Sequence, residues 1–332
     1  MAQLVKLQDY ISRYQIDLTR YPTQFVRLKK GQWERVKYQW QTGGDIGQWE
    51  HIEVEAEEVP IEKSRFSFLK KLLPNRAKED EKNEDVESVD VSTELDEDYI
   101  PEEETTLHFE PNIVYNPQTV AELKHMFMDQ FFHFQIKWAS STLREKSYVD
   151  PKFMRDTLLR SLLQTLPDSY LIFYRPILRL KKAPIELEII ILTPTDCYIV
   201  KVLEEENQAV YIGGGERFWM KKVGKLDKKT LSPIIDLNRT EAIVTRLFQE
   251  EGIEIPIRKV ILSRNGYIDY PGTVYGLQFI DKRKFPQWME QLKRSVSPMK
   301  HMQIRAAQAI LKSAETTSFH RDIWHVEESK EQ

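Results

Sequence analysis

Residues 185–203 read IELEIIILTPTDCYIVKVL. Two runs rich in aliphatic and β-branched residues flank Pro194-Thr195-Asp196, a pattern that predicts two buried strands joined by a tight turn. Side chains alternate faces along a strand, so Glu186 and Glu188 are expected on one face of the first strand. Cys197, Ile199, Lys201 and Leu203 should share one face of the second. Charges at Glu188 and Lys201 within such apolar strands call for partners, because burying an unpaired charge is costly.

Working outward, residues 150–166 predict a helix opened by Asp150-Pro151, with Leu158, Leu159, Leu162, Leu163 and Leu166 toward the core. Before it, residues 120–140 predict an aromatic helix in which Leu123, Phe127, Phe131, Phe134 and Trp138 recur at three- and four-residue spacing, so it should be buried on more than one side. Strands are expected over 170–180, 185–193, 197–203, 209–212, 257–262 and 274–280. Helices are expected over 239–250, 285–294 and 298–313. That alternation predicts an α/β core with a mixed sheet flanked by helices.

Five features inside this core form a recognisable series. Asp156 lies on the helix 150–166, Glu188 on the first hairpin strand, and Lys201 and Leu203 on the second. Trp219 follows Gly213-Gly214-Gly215, and Ser232-Pro233 precedes a helix. On these residues the stretch 150–250 resembles the nuclease-related domain of bacterial proteins, within the restriction-endonuclease-like superfamily. The resemblance implies a restriction-endonuclease-like core whose site would bring an Asp on one strand together with Glu-x-Lys on the next. In such sites two carboxylates hold a divalent cation, usually Mg²⁺, and the lysine orients the attacking water.

The chain departs from that pattern at the chemistry. Lys152 and Arg155 stand where the family has glycines, Glu188 takes the Asp position, and Glu-x-Lys has become Lys201-Val202-Leu203. An ammonium at the second carboxylate position repels a metal, and leucine cannot replace the lysine. The resemblance therefore implies a degenerate site, or pseudoenzyme, with Asp156, Glu188 and Lys201 as remnants and Glu186 beside them. No metal or cofactor is expected, and Mg²⁺ enters only if a rearranged nuclease uses Glu186, Glu188 and Asp156.

The chain has 332 residues and is 41% hydrophobic, enough for a substantial core with appendages. Three regions are expected: a helical N-terminal region over 1–60, a linker over 61–111, and the α/β domain over 112–326. Within the linker, 63–78 is basic and amphipathic. Residues 79–104 hold fourteen Asp/Glu and one Lys, a net of −13 in a chain of net −4, so the remainder carries +9. That acidic stretch has too little apolar content to offset chain entropy and is expected to be disordered. No run approaches the roughly 20 apolar residues of a bilayer span, and a cytoplasmic protein is expected. The single Cys197 excludes an intrachain disulfide and reads as a buried structural thiol.

At the N-terminus, 3–14 and 23–41 predict two helices. The second interleaves Phe25, Trp33 and Trp40 with Arg27, Lys29, Lys30 and Lys37, read as an amphipathic helix that docks its aromatics and exposes its cations. The most concentrated basic stretch of the domain is Arg217, Phe218, Trp219, Lys221, Lys222, Lys225, Lys228 and Lys229. It is either a solvated hairpin face or a surface that contacts phosphates and stacks on bases. Three functions stand side by side: a non-catalytic nucleic-acid or nucleoprotein binder, a protein scaffold using the N-terminal helices and acidic linker, and a nuclease with a rearranged site.

Overall fold

A computed structural model of the chain describes residues 1–43, 109, 111, 117–142, 145–180, 183–204, 208–295 and 297–317. All the described residues belong to one compact unit. The basic segment 63–78, the acidic linker 79–104 and the last residues of the domain expected over 112–326 lie outside them.

The first residues form a strand, which corrects the helix expected over 3–14. All five positions of β1 (Gln3–Leu7) are buried, and it pairs in parallel with β2 (Leu171–Tyr174), Gln3 opposite Leu171. Only Arg13–Gln15 is helical there, as one 3-10 segment. The polar residues that obscure a strand pattern here are satisfied inside the fold. Gln3 Nε2 donates to the distant Asp168 carbonyl at 2.9 Å, and Lys6 Nζ donates to the Tyr10 carbonyl, four residues on, at 2.6 Å. Residues 1–41 are thus part of the α/β unit and not a separate helical region.

Helix α1 (Arg20–Gln41) starts three residues earlier than expected, because Asp17 Oδ1 accepts from the backbone N–H groups of Thr19 and Arg20 at 2.8 and 2.9 Å. Pro22 then sits in the first turn, where a missing N–H is harmless. Helix α2 (Val120–Ala139) is capped by Thr119, whose hydroxyl accepts from Glu122 N–H. Phe25 packs on Phe131 and Trp138 with ring centroids 5.5 and 5.3 Å apart, and Trp33 packs on Phe127 at 5.4 Å. Phe25 and Trp33 thus dock α1 against α2, as the amphipathic reading expects, while Tyr38 is exposed.

After α2 come α3 (Pro151–Met154) and α4 (Thr157–Thr165), two helices where one was expected. Next are β2, then β3 (Ile177–Leu180) and β4 (Ala183–Glu186), which form a two-stranded sheet, with β3 also bridged to Ala314 through Leu178. They are followed by β5 (Ile189–Leu192), β6 (Cys197–Val202), β7 (Val210–Ile212), β8 (Phe218–Val223) and β9 (Leu226–Leu231). The chain continues through α5 (Pro233–Glu250), β10 (Ile257–Leu262), β11 (Tyr267–Asp269), β12 (Leu277–Ile280), α6 (Phe285–Arg294) and α7 (His301–Lys312).

The main sheet has the order β1-β2-β5-β6-β10-β12, with β5 antiparallel to β2 and β6 and the other neighbours parallel. The molecule is α/β with mixed sheets flanked by helices. The predicted hairpin lies at its centre: Leu192 faces Cys197 and Ile189 faces Val200, and the Thr193 hydroxyl accepts from Asp196 N–H at 2.9 Å to close the turn. Residues Ile189 to Leu192 are all buried, as expected of a strand covered on both faces. A second sheet, β11-β7-β8-β9, carries the basic hairpin.

The register sorts the core into two faces. Tyr170, Ile172, Tyr174, Ile191 and Tyr198 share one; Tyr170 donates to Leu292 of α6, and Tyr174 reaches the start of α4. Phe173, Ile190, Ile199 and Lys201 share the other, under α5.

The β1 layer contains a buried cation. Burial pulls the Lys6 pKa down to about 7, against a weaker opposing effect of Glu315. Below that value folded and unfolded chains both hold the proton and the cost to folding is present in full. Between it and the unfolded value of 10.5 the unfolded chain binds more protons, so stability rises with pH. Lys6→Met should stabilise the protein by roughly 1–3 kcal/mol near pH 6 and by almost nothing near pH 10. Urea denaturation at both pH values checks this; an equal gain at both would mean that Lys6 does not titrate in this window.

Candidate functional site

The site begins with the hairpin register. Ile189 faces Val200, so Glu188, one residue before β5, comes opposite Lys201 on β6. Lys201 Nζ lies 2.9 Å from Glu188 Oε1 and 2.7 Å from Asp236 Oδ2. Asp236 occupies the first turn of α5, where the helix dipole favours an anion, and Arg239 stands 3.5 Å from its other oxygen. The hydroxyl of the buried Thr240, one turn along, accepts from the Glu188 N–H at 3.4 Å.

Electrostatics hold Lys201 charged. Burial by itself would lower its pKa, but the hydrogen bonds it donates to Asp236 and Glu188 outweigh that effect and the net shift is upward. The ammonium therefore persists at neutral pH. Its stabilisation is complete below the unfolded value of 10.5 and is lost as the pH rises through the folded value.

Sequence reasoning anticipated that Glu188 and Lys201 each need a partner, with Glu188 or Asp156 as candidates for Lys201, but missed Asp236. The available signal was an acidic residue in the first turn of a helix announced by Ser232-Pro233. The other expected residues lie elsewhere. Asp156 caps α4, accepting from the N–H groups of Leu158 and Leu159 at 2.9 Å each and from the Tyr174 hydroxyl at 2.5 Å. Burial, with Asp156 next in effect, pushes the Tyr174 hydroxyl upward and keeps it a donor. Tyr174 belongs to the sheet face opposite Lys201, so Asp156 does not join the Glu188 cluster. Near it, Arg264 grips Glu204 through two nitrogens at 2.7 and 2.6 Å and reaches the Thr157 hydroxyl at 3.2 Å.

Glu186 is exposed at the end of β4, opposite Ile177, and Leu187 and Glu188, which belong to neither strand, separate it from β5. The shared face expected for Glu186 and Glu188 is thereby corrected. His125 pairs with Asp129, and among the described residues no three His, Cys, Asp or Glu side chains gather as metal ligands. Cys197 is fully buried, and burial pushes its thiol pKa up.

The basic hairpin is ordered by simple alternation. On one face, Phe218, Met220 and Lys222 stand opposite Leu231, Lys229 and Asp227. On the other, Trp219 and Lys221 turn inward and are buried. The Trp219 ring lies against Tyr270 and Phe279 at centroid distances of 5.6 and 6.3 Å, and Gly213 passes so close that a Cβ there would sit 2.5 Å from the indole. Base stacking by Trp219 and phosphate contact by Lys221 are corrected accordingly, since neither side chain is offered to a ligand. The exposed members are Phe218, Arg217, Lys222, Lys225, Lys228 and Lys229, with the Arg217 guanidinium 5.8 Å above the Phe218 ring.

Two substitutions test these placements. Lys201→Met should cost roughly 2–4 kcal/mol because it leaves two partly buried carboxylates uncompensated. Adding Glu188→Gln and Asp236→Asn should recover much of the loss in a thermodynamic cycle. Trp219→Ala should cost roughly 3–5 kcal/mol as a core cavity. A Trp219→Ala protein of unchanged denaturation midpoint would return the indole to the surface.

No family model matches the chain, and no solved structure matches it. One 45-residue stretch is 51% identical to a protein of Geobacillus stearothermophilus named RNA 2',3'-cyclic phosphodiesterase, covering 14% of this chain and 14% of that protein. The chain thus overlaps about one seventh of that relative's length, a share too small to carry its activity across.

Proposed function

We propose that this chain contains a restriction-endonuclease-like, nuclease-related core that has exchanged metal-dependent hydrolysis for binding, and that its ligand is nucleic acid. The observation that carries the reading is the Lys201 ammonium held between Glu188 and Asp236. A divalent cation between these carboxylates would have to displace a cation already hydrogen-bonded to both. The element order also supports it: α4, then the antiparallel β2-β5-β6, then α5 crossing to the parallel β10, with Glu188 and Lys201 on adjacent strands.

The exposed face of the β8-β9 hairpin supplies the chemistry for a polyanion. Lys222 and Lys229 lie on that face with Phe218, which is free to stack on an unpaired base, and Arg217, Lys225 and Lys228 are exposed elsewhere on the hairpin. Phosphate neutralisation by such lysines releases counterions, so affinity should fall steeply with salt.

Anisotropy with a labelled single-stranded 20-mer, in DNA and RNA forms, tests the proposal. Lys222→Glu with Lys229→Glu should weaken binding severalfold at low salt and flatten the log–log salt slope by about 1.4, the share of two phosphate contacts. Neither Mg²⁺ nor Mn²⁺ should raise the melting temperature. Metal-dependent cleavage abolished by Glu188→Ala would restore hydrolysis, and absence of binding at low salt would remove the nucleic-acid ligand.

A further inference from the structure

The main sheet ends at β12, and its open edge borders a cavity of about 450 Å³. Leu277, Gln278, Phe279 and Ile280 all line it. Successive strand residues point to opposite faces, so a space touching four in a row must run along the strand's edge. One wall is α6, which presents Lys284, Gln287, Trp288 and Gln291 at helical spacing. The other is the segment around Tyr270 and Val274, where Tyr270 stacks on Phe279 at 4.6 Å. A smaller polar cavity of about 110 Å³, lined by Thr193, Thr195 and Tyr198, shares Gln278, Trp288 and Gln291 with the first.

The ladder shows which backbone groups face this groove. Lys259 N–H donates to the Gly276 carbonyl and Ser263 N–H to the Ile280 carbonyl, so residues 276, 278 and 280 turn toward β10. Residues 277 and 279 therefore turn outward. The Leu277 N–H is taken by the Val274 carbonyl at 3.1 Å. What remains for a ligand is the Leu277 carbonyl together with the N–H and carbonyl of Phe279, the alternating donor and acceptor set to which an added strand pairs.

We propose that the groove between β12 and α6 is a docking site for an extended acidic peptide of a partner protein, bound as a seventh strand. Charge selects the occupant. Asp281 is engaged by Arg283, and Glu290 by Lys293. Lys282, Lys284 and Arg294 have no ion-pair partner among the described residues, and Lys284 lines the groove itself. A second copy of this chain would set its own lysines against these. Acidic side chains flanking the paired backbone would meet the free cations, and a short hydroxyl side chain suits the Thr193 cavity. The proposal is independent of the nucleic-acid reading, since none of the β8-β9 lysines borders the groove.

The probe is a fluorescein-labelled peptide GEVETEVEG, titrated into the full chain. Two controls accompany it: the same peptide with every Glu replaced by Lys, and the same peptide with alternate backbone amides N-methylated. The acidic peptide should bind saturably, and both controls should bind at least about tenfold more weakly. Lys284→Glu, an exposed change, should weaken the acidic peptide about threefold or more and narrow its preference over the Lys version. Hydrogen exchange should show new protection at Phe279 on binding, while Lys222→Glu leaves the affinity unchanged. Equal affinity of the N-methylated peptide, absence of saturable binding, or protection elsewhere would overturn the proposal. So would a dimer that protects the Phe279 amide without peptide, because the occupant would then be a second copy.

Discussion

The pairing of β5 with β6 is the constraint from which the rest follows. Both strands lie in the middle of the sheet, with helices on either face, and the apolar run Ile189 to Leu192 meets Cys197 to Val200 over a turn closed by Thr193 and Asp196. A slip of one residue would transfer every side chain of a strand to the opposite face. Lys201 would then leave the α5 side, and Glu188 and Asp236 would lose their common cation. A slip would also break the turn that the Thr193 hydroxyl closes on the Asp196 N–H and would draw Glu188 into the buried ladder of Ile189–Leu192, which is costly. Turn closure and the cluster's own charges together thus hold the register.

The cluster in turn ties α5 to the sheet. Asp236 reaches down to β6, while Lys259 of β10 holds Glu241 at 2.6 Å and Asn238 at 3.0 Å farther along the same helix. Polar contacts therefore accompany the apolar seam of Leu237, Val244 and Phe248. Apolar packing alone would tolerate small sliding of the helix. Two lysines on adjacent strands, each engaging a different turn of α5, fix where along the sheet the helix sits.

Much of this was legible in the residues, and the failures have physical causes. The hairpin, α2, β10 and α6 were visible because each is a long run with an unbroken period of two or of 3.6. The paired Glu188 and Lys201 were visible because a charge inside an apolar strand demands a partner. Asp236 was not, because the position of α5 above β6 is a tertiary fact with no local signature. β1 was hidden because Gln3 is satisfied by a carbonyl far along the chain and Lys6 by the turn that follows the strand, so local periodicity under-reports their burial. Trp219 was mistaken for a ligand contact because its neighbours in sequence are basic, yet alternation along β8 sends Phe218 outward and Trp219 inward. Asp156 was placed on a continuous helix, whereas its short side chain bonds the backbone two and three residues on and so starts a new one.

Strand β1 also imposes an order on how the molecule comes into being. Its partner in the ladder begins at Leu171, opposite Gln3. At about 5–20 residues per second of synthesis, the first strand waits on the order of ten seconds or more before β2 is made. Through that interval Leu4, Val5 and Leu7 have no sheet to join. The long sequence separation also makes this among the entropically most demanding pairings in the chain, so closure of the β1 edge belongs to a late stage of folding. The charge on Lys6 lessens the tendency of the waiting segment to pair with other nascent chains, as charged residues do on exposed strand edges. A residue that weakens the finished sheet at neutral pH thereby protects the strand before the sheet exists.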